Sequence, residues 1–444
     1  MQALIIAAGR GSRMRQRFSP KPLITIFGLR LIERIILRAK SAGIKDFKIV
    51  VGYKAKKIIE TIGNGEKYGV HIEYIYNHEW EKGNGVSVYK AKDFLDNQFL
   101  LLMSDHLFDD SILKKLKEVK LKNNHCVLCV DRNLKGERFN LEDVTKVWMD
   151  NNKVKTIGKE IGKFNAVDTG IFMCTHAIFD ALEKSIAKGD YSLSAGNQIL
   201  SDEGKLETLD ITGYFWVDVD DEAALKKAKY VLLQHLNKST DGPISRNLNR
   251  KLSIRISSRL TKYAITPNQL TLFSFALALL SALFFYLGKH YSMIVLGGVM
   301  AQLSSIFDGC DGEIARLKFA SSRFGQWLDR ILDRYADGFI LLGMTHAAWL
   351  SLSAKFVWVI GFTALIGSFM NSYTAIQYDE LLSKKLLSAR GLRVGRDARL
   401  FIVFMGALFN QLLPALLLLA ILTNFESLRR VWVLRYAYQS SRGN

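Results

Sequence analysis

Asp308-Gly-Cys-Asp311-Gly312-Glu-Ile-Ala315-Arg316, eight further residues, then Gly325-Gln-Trp-Leu-Asp329-Arg-Ile-Leu-Asp333 is the stretch whose reading decides the fold. Asp308 and Asp311 are three apart and Asp329 and Asp333 four apart, spacings that put each pair on one face of a helix. The surrounding sequence is apolar enough to sit in a membrane, where ionisable groups are costly and usually functional. Four clustered carboxylates repel by roughly 4 kcal/mol per close pair at an effective dielectric near 20. A divalent cation relieves that repulsion, and an all-carboxylate oxygen site suits Mg²⁺ or Mn²⁺. The stretch therefore reads as an intramembrane metal site that handles phosphate. A buried ion-pair cluster is the alternative, but too few bases are at hand to pair the acids.

The pattern Asp-x2-Asp-Gly-x2-Ala-Arg-x8-Gly-x3-Asp-x3-Asp resembles the signature of the CDP-alcohol phosphotransferases, with all eight positions filled. A chance match is on the order of 10⁻¹⁰ per start position at ordinary residue usage. The resemblance implies that an acceptor hydroxyl attacks the phosphorus bearing the alcohol of a CDP-alcohol and that CMP leaves. It implies that Asp308, Asp311 and Asp329 hold the metal, that Asp333 completes the site, and that Asp333 is also the general base. Gly312, Ala315 and Gly325 would let nucleotide and diphosphate lie against helix backbone, with Arg316 on the next turn.

Outward from this stretch, six apolar segments are expected near 268–287, 291–309, 326–350, 355–376, 398–411 and 412–434. The loops at 316–323 and 384–399, the connector and the tail are basic, whereas those near 288–290, 351–355 and 410–412 carry few charges. Six spans then place every basic loop on the cytosolic side, together with the amino-terminal half and both sites. Before the first span, Leu248, Leu252, Ile256 and Leu260 recur at helical spacing among basic residues. That suits an interfacial helix on anionic headgroups, with a solvated basic linker as the alternative. Arg396 and Arg399 open the fifth span close to the depth of the acids, where paired guanidinium groups can hold an acceptor phosphate or serve only as a membrane anchor.

The chain has 444 residues, too many for one ordinary domain, and changes character near Tyr230: apolar runs alternate with polar helical patterns before it and long apolar runs dominate after Thr266. Its formal charge of +19 fits anionic lipid and anionic small substrates; nucleic-acid motifs are not found. Four cysteines do not make a disulfide framework, and Cys126-Val-Leu-Cys129 reads as a buried strand rather than a zinc knuckle. The first residues lack the basic start of a secretory signal.

In the amino-terminal half, Ala3-Leu-Ile-Ile-Ala-Ala8 is a buried strand entering the turn Gly9-Arg10-Gly11. Strands are expected at 47–52, 71–76, 99–103, 126–131 and 169–174, with helices at 31–42, 54–62, 111–120 and 176–187, an α/β alternation whose ligands bind at the carboxyl ends of strands. The string A-A-G-x-G-x-R-M, followed by Pro20-Lys21-Pro22, resembles the nucleotidyltransferases that build nucleotide-diphospho sugars and alcohols. The resemblance implies that Gly9 and Gly11 cradle a triphosphate and that Arg13 and Lys21 neutralise the phosphorus under attack and the departing pyrophosphate. It implies metal binding by Asp105 and by Asp218 or Asp220, contacts to the base around Gly83 and Ser87 with Glu79 and Lys82 preceding, and acceptor binding near Lys159 and Asp168. For Lys159 and Asp168, a solvated lysine and a turn aspartate are the competing reading.

The expected architecture is an α/β, Rossmann-like nucleotidyltransferase domain over 1–235, a connector with a basic interfacial helix over 236–263, and an all-α six-helix transmembrane domain over 264–444. A cytidylyltransferase fused ahead of a CDP-alcohol phosphotransferase resembles the bifunctional enzymes of thermophile osmolyte synthesis. That resemblance implies CTP and inositol 1-phosphate giving CDP-inositol, which a second inositol 1-phosphate then consumes, with Mg²⁺ at both sites. The residues themselves do not choose inositol over another polyol. A lipid acceptor or donor, a nucleotide-sensing transporter without turnover, and an amino-terminal domain that merely docks are the rival readings. Two-fold dimers being the commonest assembly, a homodimer is expected.

Overall fold

The computed structural model describes residues 1–11, 20–134, 139, 141, 143–236, 242, 244–383 and 394–440. The chain divides into two compact units, Met1–Val231 and Leu232–Asn444.

The first unit is built on a nine-stranded mixed sheet in the order His71–Tyr76, Asp46–Val51, Gln2–Ala7, Gln98–Met103, Ala166–Thr175, Cys126–Asp131, Leu206–Asp210, Lys153–Gly158, Lys146–Asp150. The first four run parallel; Ala166–Thr175 enters antiparallel between Gln98–Met103 and Cys126–Asp131. Alternation along the first strand explains why both faces are covered. Ala3, Ile5 and Ala7 pack with Ile32, Ile35, Ile58 and Ile112 on one side, and Leu4, Ile6 and Ala8 with Ile178, Phe179 and Leu182 on the other. The six expected strands and four expected helices are present within a few residues of their expected ends. Unforeseen were the hairpin Lys146–Asp150/Lys153–Gly158, the strand Leu206–Asp210 and the helix Leu193–Asp202. Cys126 and Cys129 fall in the cores on opposite faces of the sheet, as an odd spacing on a strand requires, so they do not converge on one ion.

The second unit is helical: Arg250–Leu260, Pro267–Tyr286, Tyr291–Leu317, Arg323–Leu352, Phe356–Ser383, Arg396–Leu408 and Leu412–Ser440. Thr266 and Gln269 form a capping box with Pro267 at the first position, and Ser322 caps the helix that carries Asp329 and Asp333. Among the described residues, four helical stretches are long and apolar enough to cross a membrane: Pro267–Tyr286, Tyr291–Leu317, Phe356–Ile376 and Leu412–Arg435. The other two segments expected as spans are helical but differ for physical reasons. Arg323–Leu352 carries Arg323, Asp329, Arg330, Asp333, Arg334 and Asp337 in its first half. Arg396–Leu408 has only 13 residues, about 20 Å of helix. Of the expected basic loop, residues 384–393 lie outside the described residues.

Candidate active sites

In the first unit, the parallel strands Gln2–Ala7 and Gln98–Met103 end side by side, delivering Gly9 and Gly11 from one and Ser104 and Asp105 from the other to the same edge. A cleft of about 390 Å³ opens there, lined by Gly9, Gly11, Lys21, Gly83, Ser87, Asp105, Lys159, Asp168, Asp218 and Asp220 among others. Of the expected residues of this half that the structure describes, all but Glu79 and Lys82 are thus drawn to one place. Arg13 lies outside the described residues. Glu79 and Lys82 pair with each other at the surface. Ser87 is buried and accepts a hydrogen bond from Asn77 Nδ2 at 3.0 Å.

Lys21 Nζ stands 2.5 Å from Asp105 Oδ2, 2.5 Å from Asp220 Oδ1 and 3.9 Å from Asp218 Oδ1. Burial would lower its pKa, but the three carboxylates more than offset that and hold it above the ordinary lysine value. Asp105 is half-buried, yet Lys21 and His106 hold it below the carboxylate range. His106 is the residue whose role sequence reasoning missed. The short strand His106–Phe108 pairs antiparallel with Trp216–Asp218, setting His106 opposite Asp218. Its Nδ1 is 2.8 Å from Asp105 Oδ1 and 3.7 Å from Asp218 Oδ1. Against burial, Asp218 and Asp105 lift the imidazole to about 9. Gly170, at φ +68°, is required beside it: a Cβ there would stand 2.8 Å from the ring. Adjacency to Asp105 was the available signal.

In the second unit, helix spacing and capping bring the signature together. Ligand oxygens of Asp308, Asp329 and Asp333 all lie within 4.8 Å of one another. A second cleft of about 390 Å³ is lined by Asp308, Asp311, Gly312, Ala315, Arg316, Gly325 and Asp329, with Asn268, Arg250 and Arg330. Gly325 admits Asn268, whose Oδ1 would lie 2.9 Å from a Cβ. Asp311 faces the preceding helix and accepts a hydrogen bond from Thr271 Oγ1 at 2.5 Å. Arg396 Nη1 is 2.9 Å from both Asp308 Oδ1 and Asp333 Oδ1. Arg396 Nε and Arg399 Nη2 converge on a fifth acid, Asp337, at 3.0 and 2.7 Å, and Ser368 Oγ donates to it at 3.2 Å. Asp337 was missed in the sequence although it continues the row 325, 329, 333 by one more helical turn. The connector helix Arg250–Leu260 buries Arg250, Ser253 and Ser257 and packs Ile256 and Leu260 against Leu270, Cys310 and Ile314, whereas Leu252, and Leu248 in the turn just before it, are 38% and 39% exposed.

Both clusters fit a divalent cation. Asp105, His106 and Asp218 present ligand atoms within 4.8 Å of one another, and buried Asp218 Oδ1 receives no hydrogen bond. In the second unit the donors are three carboxylates, a hard-oxygen set.

Residues 2–235 match the nucleotidyl transferase family and residues 264–425 the CDP-alcohol phosphatidyltransferase family. The chain is 35% identical to the bifunctional IPC transferase and DIPP synthase of Aquifex aeolicus, over all of this chain and 99% of that one. It is 33% identical to the protein of the same description from Thermococcus kodakarensis, over 96% and 95% of the two chains. Over 40% of this chain and 88% of the other, it is 33% identical to archaetidylinositol phosphate synthase of Pyrococcus horikoshii.

Proposed function

The chain belongs to the family of bifunctional IPC transferases and DIPP synthases, and from that membership we propose that its two clefts catalyse successive transfers. In the first, a phosphate oxygen of inositol 1-phosphate attacks the α-phosphorus of CTP; the bond to the β-phosphate breaks, leaving CDP-inositol and pyrophosphate. Lys21, assisted by Arg13, neutralises charge on the phosphorus under attack and on the departing group. Gly9 and Gly11 bring backbone N–H groups to the triphosphate, Gly83 and Ser87 contact the base, and Lys159 with Asp168 holds the acceptor.

In the second cleft, the hydroxyl of another inositol 1-phosphate attacks the phosphorus that carries the inositol. Its proton passes to Asp333, the new P–O bond forms, the bond to CMP breaks, and the product is a phosphodiester still bearing a terminal phosphate. Gly312, Ala315, Arg316 and Gly325 receive the nucleotide, and Arg396 and Arg399 receive the acceptor phosphate. Mg²⁺ or Mn²⁺ would be held by Asp105 and Asp218 with His106 or Asp220 in one unit, and by Asp308, Asp329 and Asp333 with Asp311 in the other. When bound, the cation offsets negative charge on the reacting phosphates.

Residues 1–235 form the cytidylyltransferase, 236–263 the connector and 264–444 a six-span membrane domain. The basic short loops support a multi-pass protein with both sites facing the cytoplasm, working as a homodimer.

The observation that carries this reading is the presence of two acid clusters, one in each unit, each beside its own cleft. The purified chain with Mg²⁺, CTP and inositol 1-phosphate is expected to release pyrophosphate first and CMP second, each followed separately. Pyrophosphate without CMP, given CDP-inositol and acceptor, refutes the second activity; neither product leaves the sensing-transporter reading. The likeness of the membrane unit to archaetidylinositol phosphate synthase favours one alternative, a lipid partner in the second transfer. CMP release that requires a lipid substrate would select it.

A further inference from the structure

Glu313 occupies one of the unspecified positions of the signature, yet its carboxylate is completely enclosed. It accepts hydrogen bonds from Arg250 Nη1 at 2.8 Å, Ser253 Oγ at 2.6 Å and Ser257 Oγ at 2.7 Å. All three donors come from the connector helix Arg250–Leu260, outside the 264–425 segment that carries the family match. Anchoring one helix on another does not call for such a set, because apolar residues of similar volume do so at equal or better stability. What the arrangement does accomplish is to fix a guanidinium.

Arg250 is 8% exposed and lines the second cleft with Asp308, Asp311, Gly312 and Arg316. Gly309 lies beside it: a Cβ there would stand 3.4 Å from Ser253 Oγ and 3.6 Å from Arg250 Nη1, ordinary contact that leaves no room for a longer side chain without crowding both. The same cleft holds three carboxylates, Asp308, Asp311 and Asp329, that repel an anionic substrate. Arg316 and Arg330 also line it, but Arg250 is the most deeply buried of the three arginines. A buried guanidinium is weakly hydrated and offers a planar fork that matches phosphate oxygens. Arg396 reaches Asp308 and Asp333 and shares Asp337 with Arg399, but neither arginine lines the cleft, which leaves this cation to the nucleotide side of the site.

We propose that Arg250 binds the diphosphate of the nucleoside-diphosphate alcohol in the second cleft and that Glu313 is the positioning residue that aims it. This rests on the reading of the second cleft as the CDP-alcohol site. It makes the connector helix part of that site and extends the substrate-contacting residues beyond the eight-position signature.

The test uses the full chain in detergent with Mg²⁺, supplies CDP-inositol directly, and reads CMP release against each substrate in turn. The KM for inositol 1-phosphate and the unfolding midpoint of the detergent-solubilised chain serve as the controls for a folded second unit. Arg250→Met raises the KM for CDP-inositol about tenfold or more, the loss expected for a hydrogen bond between charged groups, while the KM for inositol 1-phosphate stays within about twofold. Arg250→Lys, which keeps the charge but loses the fork, recovers part of the difference. The double variant Arg250→Met/Glu313→Gln removes both buried charges and separates this role from anchorage. The KM for CDP-inositol stays raised if Arg250 touches the substrate. Its return to the wild-type value, or a loss of kcat with both KM values unchanged, overturns the proposal. A wild-type chain that releases no CMP from CDP-inositol refutes the reading of the cleft itself, whatever the Arg250 variants do.

Discussion

Arg396 Nη1 lies 2.9 Å from Asp333 Oδ1, so the carboxylate proposed as general base is held by a cation from another helix. The same nitrogen reaches Asp308 at 2.9 Å, which fixes the triad's geometry from outside the signature. Asp333→Asn keeps the size of the side chain and its place beside Arg396 but cannot take the hydroxyl proton. CMP release from supplied CDP-inositol is expected to fall about 10²–10⁴-fold, with pyrophosphate release from CTP unchanged. A near-normal CMP rate would remove Asp333 as the base.

Asp105→Asn tests the independence of the two clefts. Asp105 is shared by Lys21 and His106, so its loss disturbs both the cation proposed to meet the triphosphate and the candidate metal group. Pyrophosphate release is expected to drop by about 10²-fold or more, whereas CMP release from supplied CDP-inositol persists. Loss of both in a well-folded chain contradicts two separate sites.

Legibility in the sequence followed the range of the interactions. The six expected strands and the paired acids were readable because periods of 2 and of 3 to 4 residues are local properties. The hairpin Lys146–Asp150/Lys153–Gly158 was not, since its turn is Asn151-Asn152 with both residues at positive φ and its strands are short and mixed in polarity. The role of His106 depends on the pairing of residues 106–108 with 216–218, more than a hundred positions away. The connector helix was read by Leu248, Leu252, Ile256 and Leu260, of which Ile256 and Leu260 do pack against Leu270, Cys310 and Ile314, while the most deeply buried residues of the helix are Arg250, Ser253 and Ser257. A polar face can be the buried one when a carboxylate waits on the other side, and no amphipathic pattern announces that.

Asp337 gathers Arg396, Arg399 and Ser368 in a buried network. Asp337→Ala leaves two guanidinium groups without that carboxylate, a change that costs about 3–5 kcal/mol when one partner of a buried pair is removed. The detergent-solubilised variant is expected to unfold at a lower temperature and to lose affinity for inositol 1-phosphate in the CMP-releasing reaction. Unchanged stability and KM would show that Asp337 does not hold the arginines.

Removal of divalent cations addresses both clusters at once. Chelation with EDTA is expected to abolish both product releases, and Mg²⁺ or Mn²⁺ to restore them, because each triad offers hard or borderline donors and no thiolate. Asp308→Asn should weaken Mn²⁺ binding at one site only, read as the loss of one of two sites in a titration of the metal-free chain. Retention of both sites would exclude the membrane triad as a ligand set.

Asp168 gives the pH prediction. Burial, only partly opposed by the hydrogen bond from Gly170 N to Oδ1 at 2.7 Å, pushes its carboxyl up to about 6. Between its unfolded value of about 3.9 and this raised value, the folded state binds more protons than the unfolded one, so the contribution to stability falls as pH rises through that window and levels off above it. Asp168→Asn keeps an acceptor for Gly170 but carries no charge. The unfolding midpoint of the variant, relative to wild type, is expected to rise from about pH 4 to about pH 7 and to stay level beyond. A gap independent of pH would mean that Asp168 titrates in the folded chain as an exposed carboxylate does, and would leave the acceptor side of the first cleft without an acid of raised pKa.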